Sequence, residues 1–234
     1  MPAKSAVSSS ARRPLSAALH DTLRAEIVEG RFAPGDALPS ERSLSDAYGV
    51  NRHAVREALK RLQQAGLVSV SQGGATRVRD WRVHAGLDLL VDLAASDLGD
   101  ELALAVAELR RSIGVDAAAL CAERAPAALR DEIVRVPSVP AERRFEDRAE
   151  RYIRLWSLIV DGSGNVAYRL AFNSLVAAER EGHMDIRVHA AEVDDPRAQL
   201  ALAEALAAGA ARAAEAHARD LLDRTVAAVE PGTT

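Results

Sequence analysis

Between Leu15 and Arg79 the apolar spacing changes from every fourth residue to every second, and that switch constrains the fold of the chain more than any other feature. Leu15, Leu19, Leu23 and Ile27 lay one apolar stripe along a helix that should end near Glu29-Gly30. After the turn Ala33-Pro34-Gly35-Asp36, Pro39-Ser40 offers an N-cap for a short helix from Glu41 to Tyr48, with Leu44 and Ala47 inward and Gly49 as its stop. Asn51 can cap a third helix from Arg52 to about Ala65. Its Val55, Ala58, Leu59 and Leu62 share one face, which turns Arg52, His53, Arg56, Lys60 and Arg61 outward.

Those helices alone read equally as a helix-turn-helix or as a helical hairpin with a solvated basic face. The next residues favour the first reading. Leu67-Val68-Ser69-Val70-Ser71 alternates as a strand, Gln72-Gly73-Gly74 can turn, and Thr76-Arg77-Val78-Arg79 alternates back, so a β-hairpin wing is expected.

Charge is divided in the same way. Residues 1–80 hold 12 of the 30 Lys+Arg and 8 of the 34 Asp+Glu, a net of +4, which leaves −8 for the remainder. A basic segment neutralises phosphates, whereas an acidic partner domain resists indiscriminate adhesion to nucleic acid. Residues 1–13, rich in Ser and Ala, read as a flexible arm, and no apolar run follows that would serve as a signal peptide or membrane span. The single Cys121 cannot form an internal disulfide and reads as a buried thiol, which fits a cytoplasmic protein.

From Val83 onward Ala/Leu-rich amphipathic stretches alternate with short polar breaks, and aromatic residues make up only 3% of the chain, so an all-α antiparallel bundle is expected. The spacing predicts helices near 83–95, 99–113, 115–123, 126–134, 141–161, 164–180, 195–208 and 210–229. Breaks are expected at Pro126, Pro137 to Pro140, Gly162 to Gly164 and Pro196. The fold class is therefore mainly α: a winged helix-turn-helix over 14–80, a linker or first sensor helix over 81–95, and a helical effector-binding domain over 96–230.

The stretch EIVEGRFAPGDALPSERSLSDAYGVNRHAVREALKRLQQAGLVSVSQGGATRV resembles the GntR family of bacterial winged-helix regulators. That resemblance implies a recognition helix in the major groove and a wing tip in the minor groove of double-stranded DNA. Carried over, it marks Arg42, Arg52 and Arg56 as base or phosphate contacts, with Asn51, His53 and Ala54 beside the groove and Gln72, Gly73 and Gly74 at the wing tip. Arg52 is the leading base reader, because a guanidinium fork bridges the two acceptors of a guanine edge. The alternative for Arg42 and Arg56 is pairing with Glu41 or Glu57. Gly74 stands where fatty-acid-responsive relatives carry a basic residue.

ELRRSIGVDAAALCAERA, DGSGNVAYRLAFNSL and ALAAGAARAAEAHARDLLD, in that order, look like the C-terminal domain of the FadR branch of the family, and WRVHAGLDLLVDLAASD resembles its fatty-acid-responsive members. Most of the branch holds a metal with one Asp and three His. Here the corresponding positions fall at Tyr152, Trp156, near Gln199 and Leu221, and Trp and Leu supply no ligand atom, so neither metal nor cofactor is expected. His183, His189 and His217 lie at spacings that suggest no tetrad.

The resemblance then implies a long-chain acyl-CoA effector, with Arg110 as the contact for an anion or polar head and Tyr152, Trp156, Tyr168, Asn173 and Leu221 as wall residues, each of which also reads as core. A homodimer on a palindromic operator follows, since one helix-turn-helix makes too few contacts to select a site. The rival effector is a small organic acid. An enzyme is not expected: no nucleophile with a base, paired-carboxylate site or cofactor loop stands out.

Overall fold

Leu19, Leu23 and Ile27 are buried along α1 (Leu15–Val28), with Val28 beside them, so three residues of the expected stripe form the inner face of the first helix, while Leu15 at its start is exposed. The computed structural model describes residues 15–70, 75–93, 99–138, 144–180 and 185–230. The arm expected over 1–13, the wing tip Gln72-Gly73-Gly74 and His183 lie outside the described residues. The chain divides into two units that meet between Leu89 and Leu90.

In the first unit, α2 (Glu41–Tyr48) begins where the Ser40 hydroxyl accepts from the Ser43 backbone N–H at 3.1 Å. It ends at Gly49, whose left-handed backbone (φ 63°) turns the chain sharply into the next helix. α3 (Arg52–Gln64) buries Val55, Ala58, Leu59 and Leu62, and it packs against both α1 and α2. β1 (Val68–Val70) pairs antiparallel with β2 (Thr76–Val78), Val68 opposite Val78. The loop before α2 joins this ribbon: Leu38 N–H donates to Thr76 O at 2.8 Å and Val78 N–H to Asp36 O at 2.9 Å. The base of the wing is thereby tied to the helix-turn-helix by backbone hydrogen bonds.

The single helix expected over 83–95 is not formed. α4 (Trp81–His84) stops after one turn because Ala85 is extended (ψ 158°). A 3-10 turn at Leu87–Leu89 follows, then α5 (Leu90–Leu93).

The second unit comprises α5, α6 (Gly99–Arg124), α7 (Ala127–Ser138), α8 (Phe145–Gly162), α9 (Val166–Arg180), a 3-10 turn at Ile186–His189, α10 (Ala190–Val193), α11 (Pro196–Ala207) and α12 (Ala211–Val229). α6 runs along α12, α7 along α11, and α8 packs on α6, enclosing a core that includes Ala118, Leu155, Ile159, Leu202, Leu206 and Leu221. Two expected helices, 99–113 and 115–123, are one. Gly114 does not break α6 but permits a close approach: a Cβ there would lie 2.6 Å from Leu222 Cδ1 and 3.1 Å from the Trp156 ring. α7 also runs past its expected end at 134, since Pro137 sits in the last turn, where the missing N–H costs only one helical bond. Cys121 is fully buried, and burial pushes its thiol up to about 11, the protonation state of an inert core residue.

Candidate nucleic-acid interface and bundle cavity

The outward face of α3 is built by its inward one. Once Val55, Ala58, Leu59 and Leu62 are fixed against α1 and α2, the helical period leaves Arg52, His53, Arg56, Lys60 and Arg61 exposed. Asn51 closes the helix start, its Oδ1 accepting from the Ala54 backbone N–H at 2.8 Å, so this side chain is engaged in capping. Ala54 is half-buried beside it. Arg56 Nε donates to Glu41 Oε2 at 2.9 Å, and Arg42 lies 3.9 Å from Asp46 one turn along α2. Arg56 thus pairs with one of the two carboxylates anticipated from sequence, and Arg42 with a different one. All four side chains are substantially exposed, and such pairs contribute at most about 1 kcal/mol, so a phosphate can displace them.

The second unit holds a narrow cavity of about 50 Å³. Arg110, Tyr152 and Trp156, three of the residues singled out from the sequence, line it; with them come Ile113, Phe172, Leu175 and Leu222, which the sequence did not single out. Tyr168, Asn173 and Leu221 are not brought to it. The Tyr168 hydroxyl donates to Asp116 at 2.6 Å, Asn173 lines an open groove along α8 and α9, and Leu221 points into the core, one residue out of phase with Leu222.

A buried polar network forms one end of the cavity. Arg110 from α6 grips Glu192 of α10 with both Nη atoms, at 3.0 and 3.4 Å. The same carboxylate accepts short hydrogen bonds from the Tyr152 and Thr225 hydroxyls. Arg110 Nη1 also donates to His189 Nδ1 at 2.9 Å, which leaves His189 Nε2 to carry the proton and donate to Glu179 Oε1 at 3.1 Å.

Burial alone would raise the Glu192 carboxyl, but the Arg110 guanidinium outweighs it and holds it below the ordinary carboxylate range. Burial, seconded by Arg110, lowers the His189 imidazole, and burial together with Glu192 raises the Tyr152 phenol. Glu192, His189, Thr225 and Glu179 were missed by sequence reasoning. They are brought together from separated segments, and no local spacing announces them. Among the described residues no group of three His, Cys, Asp or Glu could hold a metal ion, and no helix is long and apolar enough to cross a membrane.

A capped, outward-facing basic helix on a trihelical scaffold with a β-ribbon wing defines a DNA-binding transcription regulator. Residues 15–78 match the family model for bacterial regulatory proteins, gntR family. The chain is 36% identical over 218 residues to the HTH-type transcriptional regulator Mce2R of Mycobacterium tuberculosis, covering 91% of this chain and 90% of that one. It is 35% identical over 153 residues to the fatty acid metabolism regulator protein of Erwinia tasmaniensis, covering 64% of this chain and 63% of the relative. Among solved structures, Streptococcus agalactiae GntR aligns with a TM-score of 0.48 at 20% identity, covering 90% of this chain and 98% of that one. The chain belongs to the GntR family, and its relatives are regulators rather than enzymes.

Proposed function

We propose that this regulator binds a palindromic operator as a homodimer in the cytoplasm, and that a long-chain acyl-CoA modulates its binding so as to control genes of fatty-acid metabolism. In this reading residues 14–80 read DNA, 96–230 sense the effector and 81–95 connect the two. Arg52 carries the DNA-reading part: it is exposed in the first turn of a helix whose start is fixed by the Asn51 cap. The bundle cavity supports an effector with an apolar chain, since most of its lining is aliphatic or aromatic. The relative named as a fatty acid metabolism regulator supports the same class. Effector binding acts by favouring one of two dimer arrangements with different operator affinity.

The test is a titration of a labelled operator complex with palmitoyl-CoA. A change in DNA affinity at micromolar ligand is expected, and an unchanged affinity would reject the acyl-CoA assignment. One observation favours a small organic acid instead. At about 50 Å³ the cavity is well below the roughly 300–1,000 Å³ of ordinary ligand pockets, so a long chain requires the bundle to open. A thermal shift with short carboxylates and none with palmitoyl-CoA would support that alternative.

A further inference from the structure

Glu57 is the single acid of α3, and it stands among cations. Val55, Ala58, Leu59 and Leu62 fix the inward side of that helix. At about 100° per residue Glu57 falls nearly opposite them, about 40° round the axis from His53 and between the exposed Lys60 and Arg61. The neighbouring carboxylates of α2 are engaged, Glu41 with Arg56 and Asp46 with Arg42. Glu57 is not: among the described residues no salt bridge or side-chain hydrogen bond holds it. Lys60 and Arg61 lie three and four residues on, the spacing at which a helix pairs a glutamate with a cation, and still the carboxylate stays free.

A free carboxylate on a face that approaches DNA has a narrow choice of partners. Every phosphate repels it, and so do the N7 and O6 acceptors of guanine and the O4 of thymine. The only donors in the major groove are the exocyclic amines, N4 of cytosine and N6 of adenine, and adenine sets its N7 acceptor beside the amine. Cytosine is therefore the base whose edge suits a carboxylate. Arg52 and Glu57 are five residues apart, about 7.5 Å along the helix, so they reach positions about two base pairs apart.

We propose that Glu57 is a second, acidic base reader: it accepts from the N4 amine of one cytosine in each half-site, and on a duplex lacking that cytosine its charge works against binding. A cation such as Lys60 adds affinity for every duplex alike. Glu57 instead removes affinity from the wrong ones, and a repulsive element of that kind is a direct source of discrimination. The proposal rests on the reading of α3 as the helix that enters the major groove.

The test is in vitro selection from a random duplex pool with full-length wild type, Arg52→Ala, Glu57→Ala and Glu57→Gln, followed by titration of singly substituted operators. Wild type should select one cytosine per half-site about two base pairs from the position that Arg52→Ala relaxes. Replacing that C·G pair by T·A should weaken wild-type binding about tenfold or more. Glu57→Ala should bind the two operators within about twofold of each other, and should bind a scrambled duplex about two- to fivefold more tightly than wild type does. Glu57→Gln, whose amide pairs with N6 and N7 of adenine, should move the selected base from cytosine to adenine.

A Glu57→Ala protein with undiminished preference for that cytosine, or one that loses affinity evenly for selected and scrambled duplexes, would overturn the proposal. Glu57→Gln keeps the size and shape of the side chain, so the change of selected base stays readable even if Glu57→Ala folds poorly. A wild type without any sequence preference overturns the reading of α3 and this proposal with it. A wild type that selects an operator lacking the cytosine overturns this proposal alone.

Discussion

Arg56 on α3 reaches Glu41 at the start of α2, Nε to Oε2 at 2.9 Å, so an exposed cation of the third helix is held by a carboxylate of the neighbouring one. The pair is solvent-exposed and contributes at most about 1 kcal/mol. Its partner must yield before Arg56 meets a phosphate. Glu41→Gln removes that competitor and is expected to tighten DNA binding about two- to fivefold. Arg56→Ala should weaken binding evenly across sequences and lower the slope of log K against log salt by about one, as seen in anisotropy titrations over a salt series.

The Asn51 side chain is expected to act as a cap before anything else. Asn51→Ala leaves the first turn of α3 with an orphaned N–H and should destabilise the first unit by about 0.5–2 kcal/mol in urea melts. Asn51→Asp can still cap, yet it places a negative charge beside the groove. It should melt near wild type while binding DNA more weakly. Equal losses of stability and affinity in both variants would contradict this division of roles.

The Arg110–Glu192 pair is buried, with Glu192 fully enclosed. Arg110→Met or Glu192→Gln each strands a charged or polar partner and should cost about 3–5 kcal/mol, measured by chemical denaturation of the full chain. Arg110→Met combined with Glu192→Leu should recover most of that loss, because no unpaired charge remains.

The first unit was legible because its signals are local. The stripe Leu19-Leu23-Ile27, the caps Ser40 and Asn51 and the stop at Gly49 each act within a turn or two of where they stand, and all four behave as the sequence implies. The second unit misled where a residue's role is tertiary. The helices expected over 99–113 and 115–123 part at Gly114, yet that residue lies mid-helix, where Leu222 and Trp156 crowd its missing Cβ. The network around Glu192 joins α6, α8, α10 and α12 across separations of up to 82 residues, which no spacing rule detects. Tyr152 and Trp156 were found through family resemblance, and they do line the cavity. Tyr168, Asn173 and Leu221 came from the same resemblance, and the helical phase turns them elsewhere.

Acid should act on this network through His189 before Glu192. Burial and Arg110 hold the imidazole below its ordinary 6.5, so as pH falls past 6.5 the unfolded chain takes up a proton that the folded one refuses. Stability is therefore lost from about pH 6.5 down to the lowered folded value. Glu192, held below its ordinary 4.5, stabilises the fold above that pH and withdraws its contribution only as pH falls further through its folded value. Melting the full chain at pH 7.5 and pH 5.5 should show the loss in wild type and a shallower one in His189→Gln. An identical pH dependence in the two proteins would contradict the assignment.

Everything proposed for the first unit depends on Arg52, carried outward on a capped helix, reading base sequence. The direct measurement is an equilibrium titration of wild type and Arg52→Ala against an operator obtained by in vitro selection and against its scrambled counterpart at fixed salt. Wild type is expected to prefer the operator by about a thousandfold or more. Arg52→Ala should surrender about 1–3 kcal/mol of that preference while retaining the shared, salt-dependent affinity. A wild-type protein that binds both duplexes alike, or an Arg52→Ala protein with undiminished discrimination, would contradict that role for Arg52.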